Sequence, residues 1–124
     1  MTKLVMRNAA CFIAIAFCDL LSGAGANAAD VTVKVVSGPL RYDPAEIHVK
    51  KGDRVTWVNT TSFPHTATPD DANTDAFARV TLFDEDDEGT TVIKADPGTI
   101  RYHCEFHNSM HGTMIIDSAD GPQQ

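Results

Sequence analysis

The chain has 124 residues, enough for one small domain, and an ordinary 43% hydrophobic content. Its 10 Lys and Arg against 17 Asp and Glu give a formal charge of −7, which argues against nucleic acid or an anionic membrane surface as partner. A basic protein partner suits it better.

The start reads as a label to be removed. Lys3 and Arg7 form a basic head, Ala9 to Leu21 is mostly apolar, and Ala26-Asn27-Ala28 is a small-residue cleavage site. The apolar run, interrupted by Asp19, is too short for a transmembrane helix. Residues 1–28 are therefore expected to be a cleaved secretory signal peptide, with a periplasm-like destination and no stable membrane insertion. Removing Lys3, Arg7 and Asp19 leaves 8 basic and 16 acidic residues, a charge of −8. It also removes Cys11 and Cys18, so Cys104 is left alone. A single thiol in an oxidising compartment is a hazard unless something such as a metal occupies it.

Val31 to Val35 alternates apolar and polar residues, the period of a half-buried strand. Leu40 to Tyr42 is a short extended piece before the Asp43-Pro44 turn. Ile47 to Lys50 and Val55 to Asn59 alternate again, and Lys51-Gly52-Asp53 between them predicts a hairpin. Trp57 belongs in the core, and His48, in the polar phase, faces solvent. Thr60 to Asp75 is rich in Thr, Ser, Pro and Asp and reads as loop, with Pro64 stiffening the approach to His65.

Phe77 to Phe83 is moderate strand material, and Asp84 to Gly89, a run of like charge, is expected as an exposed turn. Thr90 to Ala95 is a β-branched strand, and Asp96-Pro97-Gly98 a turn. Thr99 to Cys104 should place Ile100, Tyr102 and Cys104 on one face, with Arg101 and His103 on the other. A ligand loop follows, then a closing strand over Thr113 to Asp117 and a frayed tail over 118–124. Repeated short strands without a helical period indicate an all-β sandwich or barrel, one domain over 29–117.

The chemistry gathers in Tyr102-His103-Cys104-Glu105-Phe106-His107-Asn108-Ser109-Met110-His111-Gly112. Cys104, His107 and Met110 follow one another at intervals of three. Thiolate and thioether are soft donors suited to Cu(I), and imidazole serves copper in either state. Two imidazoles, a thiolate and a distant Met make a blue-copper arrangement, for which His65 is the candidate second imidazole. Zinc is the rival, held by Cys104, His65, His107 and His111 in a closed tetrahedron that leaves Met110 unused. Met114, in the closing strand, is expected to fill core. The role of His111 stays open.

Phe63-Pro64-His65 after a strand ending at Asn59, Asp96-Pro97-Gly98-Thr99 before Tyr102-His103-Cys104, and C-x2-H-x2-M running into Gly112-Thr113 resemble the cupredoxins. The likeness is greatest to the amicyanin, plastocyanin and pseudoazurin group of small blue copper proteins, and spans about 29–117. It implies a Greek-key β-sandwich holding one type 1 copper, with His65, Cys104 and His107 as strong ligands and Met110 as the weak axial one. It implies electron transfer without substrate turnover, so not an enzyme; with the acidic charge, a redox protein partner with a basic docking surface is expected, and the chain is expected to be a monomer. A copper chaperone or storage role is the alternative. The adjacent His103 and Cys104 are also similar to copper nitrite reductases and multicopper oxidases. Their second copper needs further histidines, and with only five in the chain none form an H-x-H pair. Thr66 departs from the group, which often has Asn there tying the two ligand loops together.

Overall fold

The computed structural model describes residues 27–120, so residues 1–26 of the expected leader, with Cys11 and Cys18, and residues 121–124 of the expected frayed tail lie outside the described residues. Nine strands are described: β1 (Asp30–Val36), β2 (Arg41–Asp43), β3 (Glu46–Lys50), β4 (Arg54–Asn59), β5 (His65–Pro69), β6 (Val80–Leu82), β7 (Glu88–Val92), β8 (Gly98–Cys104) and β9 (His107–Asp117). They form a four-stranded sheet, β2-β1-β4-β7, and a five-stranded one, β3-β9-β8-β5-β6. The all-β, single-domain expectation is borne out.

Alternation builds the sandwich. Val33 and Val35 of β1, Val55 and Trp57 of β4, Ile47 and Val49 of β3, and Met114 and Ile116 of β9 are all buried at every second position, forming the core between the sheets. Trp57 is wholly buried against Phe77 and Tyr102, at ring-centroid distances of 5.0 and 5.7 Å. Ile100 is half-buried and Tyr102 and Cys104 buried on one face of β8, with Arg101 exposed on the other, as its alternation predicts.

Four expectations are corrected. β3 and β4 are not a hairpin: β3 pairs in parallel with β9, and β4 in parallel with β1 and antiparallel with β7. The Lys51-Gly52 turn, with Gly52 at φ 95°, carries the chain from one sheet to the other. Turn chemistry fixes the local reversal, not the strand that is met afterwards. The stretch read as loop from Thr60 to Asp75 contains β5, whose first three residues are all buried. Being covered on both faces, β5 shows no alternation for sequence reasoning to find. In the stretches read as strand over Phe77 to Phe83 and Thr90 to Ala95, pairing is confined to Val80–Leu82 and to Glu88–Val92, although Phe77 and Ile93 are buried.

The predicted ligand loop is also mostly strand. β8 and β9 join through a two-residue turn, Glu105-Phe106, and Cys104 stands opposite His107. The register then slips, because His103 pairs with His111, so Asn108, Ser109 and Met110 belong to a bulge on β9. One step further on, Tyr102 pairs with Gly112, where a Cβ would lie 2.2 Å from the Tyr102 ring. Only glycine fits under that ring, which itself packs edge-on against Tyr42 at 4.8 Å.

Candidate metal centre

Three donor atoms converge at one end of the sandwich. His65 opens β5, Cys104 ends β8, and His107 begins β9. Their ligand atoms lie within 4.8 Å of one another, with His65 and Cys104 buried and His107 partly exposed. The Nδ1 of His65 is 3.8 Å from Cys104 Sγ and that of His107 is 3.5 Å from it. The two imidazole rings lie 4.8 Å apart, tilted by 36°. Metal bonds of about 2.0 Å to nitrogen and 2.3 Å to sulfur, opening at about 110–120°, would separate N from S by about 3.5–3.7 Å. The residues present fit a metal ion, and a thiolate with two imidazoles suits copper.

The proton on His65 has a fixed place. Its Nε2 lies 2.8 Å from Thr61 Oγ1, whose hydroxyl in turn reaches Asn59 Oδ1 at 2.9 Å. The amide oxygen only accepts, so the hydroxyl donates to it and accepts from Nε2–H. The lone pair of His65 is thereby left on Nδ1, facing Cys104. Burial, with the neighbouring His107 adding to it, pushes the His65 pKa down from 6.5 to about 4, so the ring is a neutral donor at physiological pH.

Asn59, itself fully buried, ties this loop to the acidic turn. Its Nδ2 donates to the carbonyls of Phe63 and Asp84, its backbone N–H to Asp87, and its carbonyl accepts the Asp86 N–H at 2.8 Å. The acidic run is therefore more than a solvated turn. Asp84, Glu85 and Asp86 are exposed, but the Asp87 carboxylate accepts the backbone N–H groups of Phe83 and Asp84, and Glu88 already belongs to β7.

Thr66, the departure from the resemblance, joins the ligand loops by other bonds. Its N–H points at Cys104 Sγ from 3.4 Å, and its hydroxyl accepts the Glu105 N–H at 3.0 Å. Its carbonyl accepts the hydroxyl of Tyr42, which burial holds well above the usual phenol range. Sequence reasoning missed Thr61 and Asn59. Their signal was weak, a polar residue closing a strand and a Thr four positions before a His.

Met110 is buried at 1% exposure, three residues past His107 in the bulge. Replacing it with Leu, a close match in volume, should leave copper bound and raise the reduction potential, since the axial ligand is a lever on it. A potential and spectrum identical to wild type would remove Met110 from the ligand set.

The other histidines stand apart. His111 is exposed and bonded to the Asn108 carbonyl at 2.9 Å, outside the cluster the zinc reading assigned it to. His103 points away from Cys104 and pairs with Asp70, and His48 is exposed beside Asp117. Met114 is fully buried in the core, as expected.

Comparison with known proteins gives a consistent picture. A family model described as a cupredoxin-like domain matches residues 10–116. The chain is 35% identical over 99 residues to a chloroplastic plastocyanin of Tetradesmus obliquus, covering 73% of this chain and 68% of the relative. It is 29% identical over 94 residues to an amicyanin of Paracoccus denitrificans, covering 76% and 72%. A solved amicyanin variant in its oxidised state superposes with a TM-score of 0.60 at 27% identity, over 71% of this chain and 82% of that one.

Proposed function

We propose that this chain, which belongs to the cupredoxin-like family, is a small blue copper electron carrier, with His65, Cys104 and His107 as strong ligands and Met110 as the weak axial one. The observation that carries the reading is the meeting of two imidazole Nδ1 atoms with one buried thiol. Copper bound there supplies a one-electron couple. The chain's own part is to hold the donors still: Thr61 fixes His65, Thr66 holds the Cys104 and Glu105 side of the site, and the slipped register sets His107 against Cys104. Ligands that do not rearrange keep the cost of each transfer low.

Copper titration of the protein is expected to give one equivalent and an intense visible thiolate-to-copper band. Preference for zinc, with no such band, would overturn the reading. A storage or delivery role calls for accessible, labile ligands, and the burial of His65 and Cys104 favours a carrier. The carrier reading involves no substrate turnover. Among the described residues, His48, His103 and His111 do not gather into a second centre.

Electrons would pass through the partly exposed His107; Phe63 and Phe106, 53% and 48% exposed, offer apolar contact area on the two ligand-bearing segments. Met110 lies beneath the surface rather than in that rim. Docking to a redox protein with a basic surface would be steered by the acidic turn and by Asp70, Asp71 and Asp75. Because Asp87 holds the turn, the test uses Glu85→Gln, Asp86→Asn and Glu88→Gln together. Asp86 sits at φ 70°, a conformation Asn accepts readily. Reduction by a basic partner should slow several-fold and lose salt dependence, with the potential unchanged. Equal rates and salt slopes would make the run a solubility feature.

We also assign the protein to an exported compartment, the periplasm in a bacterial source, after removal of residues 1–28. No helix among the described residues is long and apolar enough to cross a membrane.

A further inference from the structure

Asp53 is a buried carboxylate without a cation. It is 8% exposed, and among the described residues it belongs to no ion pair: neighbouring Arg54 pairs with Asp30 and Lys51 with Asp96. Its Oδ2 accepts the Lys50 N–H at 2.8 Å, and its Oδ1 accepts the backbone N–H of Ala29 at 2.9 Å. Two neutral donors are poor compensation for burying a charge, and buried charges in proteins are normally paired.

Ala29 is also the residue that follows the cleavage signal Ala26-Asn27-Ala28. From this coincidence we infer that processing completes the fold: cutting the Ala28–Ala29 bond creates an α-ammonium group that ion-pairs with Asp53 and clamps the start of β1 to the β3–β4 turn. The inference rests on the export reading above. In the cut, the Ala28 C–N bond breaks and one water is consumed. Its hydroxyl goes to the Ala28 carbonyl carbon and its proton to the Ala29 nitrogen, and proton transfer from the new carboxyl leaves carboxylate and ammonium. The signal-removing peptidase of the export pathway is the required partner.

The geometry does not depend on the leader. The Ala29 carbonyl accepts the Arg54 N–H at 2.9 Å, and the β1–β4 ladder begins one residue later with Asp30 opposite Arg54. These contacts survive the cut and hold the new amine where the amide nitrogen was. Asp53 is in turn built into the turn: its N–H donates to the Lys50 carbonyl at 3.0 Å and its carbonyl accepts the Ile93 N–H at 2.9 Å. A charge-assisted bond would then join β1, the β3–β4 turn and the segment after β7. It would exist only in processed protein, so the exported form would be more stable than its precursor.

All nine described strands follow Ala29, so the processed chain keeps every one of them. Three forms separate charge from hydrogen bonding: the chain beginning at Ala29, the same chain N-acetylated, which keeps an N–H donor without charge, and a chain beginning at Asn27. The first should melt about 4–8 °C above the other two. Asp53→Asn should erase the differences among the three. Equal melting points with Asp53 intact would overturn the clamp, as would a gap that survives Asp53→Asn. Should Asp53→Asn fail to fold, the free and acetylated forms decide alone, because acetylation removes the charge while keeping an N–H donor for Asp53. Amino-terminal sequencing of the native protein tests the premise separately. A start at Met1 defeats the export reading, whereas an exported protein starting elsewhere than Ala29 defeats the clamp only.

Discussion

Replacing Cys104 with Ser will abolish the visible thiolate-to-copper band and weaken copper binding, while the metal-free fold survives. The band requires sulfur bonded to the metal, and a serine hydroxyl is a harder and far less readily ionised donor. The fold survives because the change is nearly isosteric and leaves the hydroxyl a partner: the Thr66 N–H that approaches Sγ at 3.4 Å can donate to oxygen. The two imidazoles remain, so residual weak binding of a different colour is the expected signature. A Cys104→Ser protein that is as intensely coloured as wild type would remove Cys104 from the site.

Protein stripped of metal will lose stability in acid through His65. Its folded pKa of about 4 lies below the unfolded 6.5, so between these values the unfolded chain binds a proton that the folded chain refuses. Stability from this group is therefore complete above pH 6.5 and declines as pH falls, by about 3 kcal/mol in all by pH 4. Urea midpoints measured from pH 7.5 to pH 4 should fall along that course. His65→Gln should flatten this part of the slope. The same slope in both proteins would mean that His65 is not held neutral by its burial.

The site was more legible than the pairing of the strands. Cys104, His107 and Met110 announce themselves because one short segment carries a thiol, an imidazole and a thioether, and the β8–β9 turn sets Cys104 directly opposite His107. His65 was reachable through Pro64 and the lone thiol, but its strand was not. Thr66 is buried with its N–H, hydroxyl and carbonyl all partnered, so a stretch polar in composition behaves as interior. The supposed β3–β4 hairpin failed for a different reason. Alternation tells which face of a strand is buried, but Val49 and Val55 would be buried alike whether they shared a sheet or faced each other across the core. The connections make the second choice: β2 to β3, β3 to β4, β4 to β5, β6 to β7 and β7 to β8 all pass between sheets.

The bonds radiating from Asn59 bear on how this end of the molecule opens. One residue secures the acidic turn through Asp84, Asp86 and Asp87, and the His65 loop through Thr61 and Phe63. Neither segment can leave its place without stripping a buried amide of several partners at once, so the two should unfold locally as a single cooperative unit. Amide protons of Thr61 and Asp86, 25 positions apart in the chain, are then expected to exchange with solvent at matched opening free energies, and Asn59→Ala, which removes the side-chain bonds to Thr61, Phe63 and Asp84 but keeps the carbonyl that accepts the Asp86 N–H, should lower both.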